Sequence, residues 1–369
     1  MLTYCTNIHP GEGWSDVLAN LESHGRTVKA AVSPAAPFPL GLRVSAEAAF
    51  AIDAHEAARF RDWCAAQGFD VPTLNGFPHG RFHGAGVKEK VYLPDWRSPE
   101  RVAYTCRLGE LLTTWLPLRG AGAGGSISTV PIAFRAHWDE ADRGLVRQHL
   151  LGALEALARL RDASGHEIVL ALEPEPSCLL ETTGEAVAFF EGLALPASLA
   201  PLLGLCFDCC HQAVEFEDAA ASLAALAAAG IRIGKVQVSS ALRAAHAEFG
   251  ALAAFDEPTY LHQVVARDAA GALARFGDLP AFLELPREEL ARFEECRVHF
   301  HVPIFAERAE GCGTTRFFLE AVLPLLPPGT PLEVETYSWN VLPAAARAGS
   351  VAESIVCELA WVRANRNAT

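Results

Sequence analysis

The chain has 369 residues, of which 51% are hydrophobic and 20% charged, and its formal net charge is −14. Such a composition supports a large buried core and excludes a disordered chain, while the acidic balance removes the attraction that non-specific binding to nucleic acid or anionic membranes needs. The N-terminal MLTYCTNIHPGEGW has no basic or apolar signal region, and no stretch of about 18 uninterrupted apolar residues follows, so a cytoplasmic protein without membrane insertion is expected.

Short β-rich segments alternate with longer helical ones along the whole sequence, the pattern of parallel strands joined by crossover helices. In chain order, strands are predicted at about Leu2 to Ile8, Phe69 to Gly76, Ser126 to Ile132, Glu167 to Glu173, Leu203 to Asp208, Ile231 to Ser239, Arg297 to Pro303 and Leu332 to Tyr337. Eight such strands predict an α/β fold, a single (β/α)₈ TIM barrel covering residues 1–369, longer than the roughly 250 residues of a plain barrel. The excess falls in two loop elaborations, approximately 77–97 and 241–295. Both follow the C-terminal end of a predicted strand, the face on which barrel loops build active sites. Helix starts are marked at Thr182 with Glu185 and at Ser350 with Glu353, the spacing of a capping box, and the Ala-rich run from Ala219 to Ala229 stops at Gly230. The ten cysteines are scattered and often lie inside apolar strands, which suits reduced core residues better than a disulfide framework. Cys206 and Cys209 form a CxxC, but it straddles Asp208 at a strand end instead of opening a helix as a redox pair does.

Because strand residues alternate between faces, parity separates those pointing into the barrel from those under the helices. The bulky residues Leu170, Leu172, Leu205, Phe207, Val236, Val238, Val298, Phe300, Leu332 and Val334 belong under the helices. That sends Glu173, Asp208, Lys235, Gln237, His299, His301, Glu333 and Glu335 inward, with Thr73 and Asn75 on the second predicted strand and Asn7, followed by His9, on the first. Converging carboxylates in a partly dry cavity repel one another and raise their own pKa values unless a cation neutralises them. A divalent metal ion is therefore expected, held by Glu173, Asp208, Gln237, His301 and Glu335; mixed carboxylate, amide and imidazole ligands suit Mn²⁺, Zn²⁺, Co²⁺ or Mg²⁺. Asn75, His9 and the loop residue His79 are candidate substrate contacts, and His83 in the same NGFPHGRFHG segment is a further candidate. Lys235 is either a substrate contact, a Schiff-base amine, or half of an ion pair with Glu333 or Asp208.

At these motifs the sequence resembles the xylose isomerase-like TIM barrels, which include sugar isomerases, sugar 3-epimerases and endonuclease IV-type repair enzymes. LEPEP supplies Glu173, FDCCH supplies Asp208 and His211, and VETYSW supplies Glu335 at the places where that superfamily surrounds its metal. Within it, YCTNIHPGEGW, TLNGFPHGRFHG, LEPEP, FDCCHQAVEFE and HFHVPIF are similar to the EboE family of metabolite traffic proteins. The resemblance implies proton transfer by Glu173 and Glu335 and a substrate-oxygen contact by His211. It also implies a metal-binding His where this chain has Gln237, so His301 is expected to take the imidazole role. The implied function is a metal-dependent isomerase or epimerase acting on a small polyhydroxylated carbonyl metabolite. The rivals are a non-catalytic metabolite-binding or delivery protein that keeps the metal site, and a metal-dependent phosphodiesterase or nuclease, which the net charge opposes. The partner is a small molecule; the oligomeric state stays open, an oligomer included.

Overall fold

The computed structural model describes residues 1–84, 86–116, 124–347 and 349–366; residue 85, inside the 77–97 segment, lies outside them. Eight parallel strands form a nearly closed barrel: β1 (Leu2–Tyr4), β2 (Phe38–Arg43), β3 (Phe69–Asn75), β4 (Gly124–Thr129), β5 (Glu167–Leu172), β6 (Leu203–Asp208), β7 (Ile233–Val238) and β14 (Leu332–Val334). The order β1-β14-β7-β6-β5-β4-β3-β2 is the α/β TIM barrel expected from the alternating pattern, and a parallel bridge between Cys5 and Gly41 meets across the remaining gap.

Two strand assignments change. FPLGLR forms β2, which is not among the strands expected from the sequence, and Pro39 and Gly41 interrupt its local strand pattern. Gly41 has a specific reason to be there: a Cβ added to it would lie 1.8 Å from Glu333 Oε2, so the missing side chain makes room for a carboxylate inside the barrel. Conversely, the expected barrel strand at 297–303 belongs to β11 (Phe293–Val302), which lies in a second sheet. The segment read as a loop at 241–295 builds most of that sheet. Its remaining strands are β8 (Ser240–Ala245), β9 (Val264–Asp268), β10 (Leu273–Phe276), β12 (Arg308–Ala309) and β13 (Cys312–Thr314). They pair antiparallel in the order β10-β9-β11-β8-β13-β12.

The barrel strands are buried on both faces because helices cover them, as β6 shows with every residue buried. The second sheet packs one face on its own core of Leu242, Phe255, Val264, Phe282, Val298 and Phe300. Alternation then turns His299 and His301 of β11 the other way. Only Ser239 separates β7 from β8, so the chain crosses from one sheet to the other at the barrel mouth.

The marked helix starts form as expected. Thr182 accepts from the Glu185 amide at 3.3 Å while Glu185 Oε2 accepts from the Thr182 amide at 3.2 Å, capping the helix Thr183–Leu193. Ser350 and Glu353 exchange the same pair of bonds before the helix Val351–Arg366. Gly230 sits at φ +66° one residue past the cap of the Ala-rich helix. Thr182→Ala removes one of these caps and should lower stability by about 1 kcal/mol in urea denaturation, with no change in metal content. Among the described residues, no helix is long and apolar enough to cross a membrane.

Candidate metal centre

Three carboxylates meet where β5, β6 and β14 end. Glu173 follows β5, its amide bonded to the Thr129 carbonyl at 3.1 Å; Glu335 follows β14, its amide bonded to Val238 O at 3.2 Å. Asp208 ends β6 and caps the helix Cys209–Val214: its Oδ1 accepts from the amides of Cys210 (2.7 Å) and His211 (3.1 Å) and from Ser239 Oγ (2.6 Å). Capping engages one oxygen only, which leaves Oδ2 free to face the barrel. One oxygen from each of Glu173, Asp208 and Glu335 lies within 4.8 Å of the other two. All three residues are buried.

The surroundings hold these groups in place. Glu335 Oε1 accepts from Asn7 Nδ2 at 2.8 Å, Asn75 Nδ2 at 3.0 Å and Gln237 Nε2 at 3.3 Å. His301 Nδ1 donates to the Glu335 carbonyl at 2.9 Å, which fixes the ring and turns the Nε2 lone pair inward. His211 Nδ1 donates to Pro174 O at 2.8 Å, and its Nε2 stands 3.7 Å from Asp208 Oδ2.

Crowding of like charge shows in the titration of the group. Burial, and next the charge of Asp208, push Glu173 up to about 7. Burial followed by the charges of Glu173 and Asp208 hold Glu335 well above the carboxylate range. Asp208 falls below its usual value although burial opposes this, because His211, His301 and the Ser239 hydroxyl favour its charged form. Burial lowers His301 to about 4, so its imidazole is neutral near pH 7 and free to act as a ligand.

The residues pass the test for a divalent ion. Glu173 Oε2, Asp208 Oδ2, Gln237 Oε1 and His301 Nε2 are buried and have no hydrogen-bond partner among the described residues. Orphaned buried polar atoms are costly singly, and these four are all donors suited to a hard or borderline cation.

Glu173 and Glu335 open into a cleft lined by polar and apolar side chains. Asn7, Asn75, Glu173, Glu175, His211 and Glu335 form its polar floor, and Phe77, Phe82, Val91, Tyr260, Leu261 and Tyr337 its apolar wall. The connection between β8 and β9 supplies Tyr260 and Leu261 of that wall, and β11 supplies His299.

Several sequence candidates stand elsewhere. His9 contacts Tyr4 Oη at 3.2 Å and stacks on His24, away from the cleft. His79 packs edge-on against Tyr104 and does not line the cleft. His83 bridges Asn7 O (2.7 Å) and Tyr260 Oη (2.8 Å), bracing the wall. Lys235 is fully buried below the rim with Nζ 2.6 Å from Glu333 Oε1, so the ion pair describes it and a substrate contact does not. Of the two β11 histidines, both expected to point into the barrel, His299 lines the cleft and His301 is fully enclosed, and both arrive from the second sheet. Burial pushes the Cys206 and Cys209 thiols well above their usual range, and both are free.

Glu175, Tyr92 and Gln263 were not anticipated. Tyr92 donates to Glu175 Oε1 at 2.6 Å, and Gln263 Nε2 donates to Tyr92 Oη at 2.7 Å and Pro176 O at 2.9 Å. Glu175 shares the parity of Glu173 in LEPEP, and that was the one available signal.

No protein-family model matches the chain, and neither does any curated protein. Solved structures do. A D-allulose 3-epimerase from Methylomonas sp. superposes with a TM-score of 0.52 at 12% identity, over 99% of this chain and 97% of that one. The IolI protein with a binding zinc atom gives 0.50 at 12% identity, over 99% and 97%. A xylose isomerase-like TIM barrel protein from Mycobacterium smegmatis in complex with magnesium gives 0.50 at 15%, again over 99% and 97%. The chain shares their fold. At such identities the likeness concerns architecture alone.

Proposed function

We propose that the protein is a divalent-metal-dependent isomerase or epimerase acting on a small polyhydroxylated carbonyl compound. The observation that carries this reading is the convergence of Glu173, Asp208 and Glu335, with unpartnered oxygens on Glu173 and Asp208, where Glu173 and Glu335 line a cleft. Glu173, Asp208 and Glu335 would hold the ion, with Gln237 and His301 completing the set. When bound, the ion supplies Lewis acidity toward a substrate carbonyl. Glu173 would also be the proton acceptor, since its carboxylate lines the cleft and has a second oxygen besides the one that would meet the ion. Glu335 is held at fixed geometry by three amides and would be the second proton-transfer carboxylate, donating a proton of its own while Glu173 keeps the one it has taken.

A second reading is supported by Gln237, a neutral amide where the resemblance implies an imidazole, and by the phrases similar to the EboE metabolite traffic proteins. In it the protein keeps metal and metabolite but delivers the metabolite unchanged within a secondary-metabolite pathway. Solvent exchange separates the two. Metal-loaded protein incubated with ketoses, aldoses or cyclitol-like ketones in D₂O should incorporate deuterium beside the carbonyl, read by mass spectrometry, even without net conversion. A tightly bound metabolite that returns with no deuterium at any carbon would decide for delivery.

A further inference from the structure

The carboxylate oxygens are one end of a longer file of ligand atoms. Beyond Asp208, His211 and His299 have ring centroids 4.5 Å apart, and His299 and His301 5.3 Å apart. Each ring has its Nδ1 on a fixed oxygen: Pro174 O for His211 (2.8 Å), Gln263 Oε1 for His299 (2.8 Å) and Glu335 O for His301 (2.9 Å). The Gln263 amide nitrogen is already engaged with Tyr92 and Pro176, so its oxygen is the atom that meets His299, and His299 must donate. A neutral imidazole that donates through Nδ1 presents a lone pair at Nε2, whereas a charged one donates from both nitrogens; burial opposes a charge on His211, but Asp208, Glu175 and Glu173 outweigh it and raise the ring above its usual value in the absence of a cation.

The Nε2 atoms of His211 and His299 face each other at 3.1 Å. Two lone pairs at that distance repel unless a proton or a cation lies between them. Glu175 completes a triangle: one of its carboxylate oxygens lies within 4.8 Å of a ligand nitrogen on each histidine. All three side chains are buried and line the cleft.

We propose that Glu175, His211 and His299 form a second divalent-metal position, adjoining the carboxylate one and different from it in chemistry. The proposal rests on the preceding reading of the carboxylates as a metal site. Where that position is rich in oxygen and suits Mg²⁺ or Mn²⁺, this one is rich in imidazole and suits Zn²⁺ or Co²⁺. Its ligands come from both sheets: Glu175 and His211 follow β5 and β6 of the barrel, while His299 arrives on β11 of the inserted sheet. A barrel without the insertion could not build it. In this arrangement His211 is a metal ligand and not a direct contact to a substrate oxygen.

The test is a count. Protein dialysed against Zn²⁺ and then metal-free buffer should carry two ions per chain by elemental analysis, and His299→Gln and Glu175→Gln one each. Cobalt-loaded wild-type protein should show visible absorption that both variants lose in part. A single ion in the wild type overturns the second position; if Glu173→Gln then removes that ion, the carboxylate reading stands alone and a shared proton joins the two histidines. Two ions retained in both variants also overturn the assignment, and none in the wild type overturns both readings. The wild-type count decides even if a variant misfolds.

Discussion

Glu173→Gln should reduce deuterium exchange at the carbon beside the substrate carbonyl by a factor of about 10² to 10⁴, the usual contribution of a positioned general base. The amide keeps the shape of the carboxylate and can still accept a contact from a ligand, but it cannot take a proton. Binding of the same metabolite, measured by calorimetry on metal-loaded protein, should therefore persist while exchange disappears. Metal affinity should fall as well, since one of three anionic ligands is gone, and the assay needs metal in excess. Equal exchange rates in variant and wild type would remove Glu173 from the chemistry.

Lys235→Met should destabilise the protein by about 3–5 kcal/mol in urea denaturation, as expected when one partner of a buried pair is removed. Lys235 and Glu333 are both enclosed in the barrel, 2.6 Å apart, and Glu333 Oε2 has no hydrogen-bond partner among the described residues. Burial works against the Lys235 ammonium, but the Glu333 carboxylate outweighs it and raises the lysine further above its usual value. Without the lysine, Glu333 is an uncompensated charge inside the barrel. Adding Glu333→Gln to Lys235→Met should recover most of the loss. If the single variant is as stable as the wild type, the barrel interior tolerates that charge and the pair is not structural.

The barrel was legible because its strands are buried on both faces and separated by helices with clear caps. Parity along β5, β6, β7 and β14 placed Glu173, Asp208, Gln237 and Glu335 on the inner side, where the structure brings them together. Alternation says which residues share a face, however, and not which sheet a strand joins. RVHFHVP reads like a barrel strand and lies in the antiparallel sheet, so His299 and His301 reach the mouth from an unforeseen direction. β2 was hidden for the opposite reason, since Pro39 and Gly41 break the local pattern while long-range closure with β1 and room for Glu333 select it. Glu175, Tyr92 and Gln263 come from separate parts of the chain, beyond any local periodicity. His9 and His79 were chosen for residue type at strand and loop ends, and packing on His24 and Tyr104 accounts for them instead.

The single residue between β7 and β8 links the two sheets more tightly than a hinge would. Ser239 Oγ donates to Asp208 Oδ1 at 2.6 Å and accepts from the Cys210 amide at 2.9 Å, so the crossing point is itself part of the carboxylate cluster. A rotation of one sheet against the other would pull directly on Asp208. At its other border Lys88 ties the segment after β3 to the insertion by a partly exposed pair with Asp278 at 2.7 Å and a backbone bond to Thr259 O at 3.0 Å. The molecule thus joins its two sheets in two ways, by a one-residue crossing built into the carboxylate cluster and by polar contacts across the outer border of the cleft.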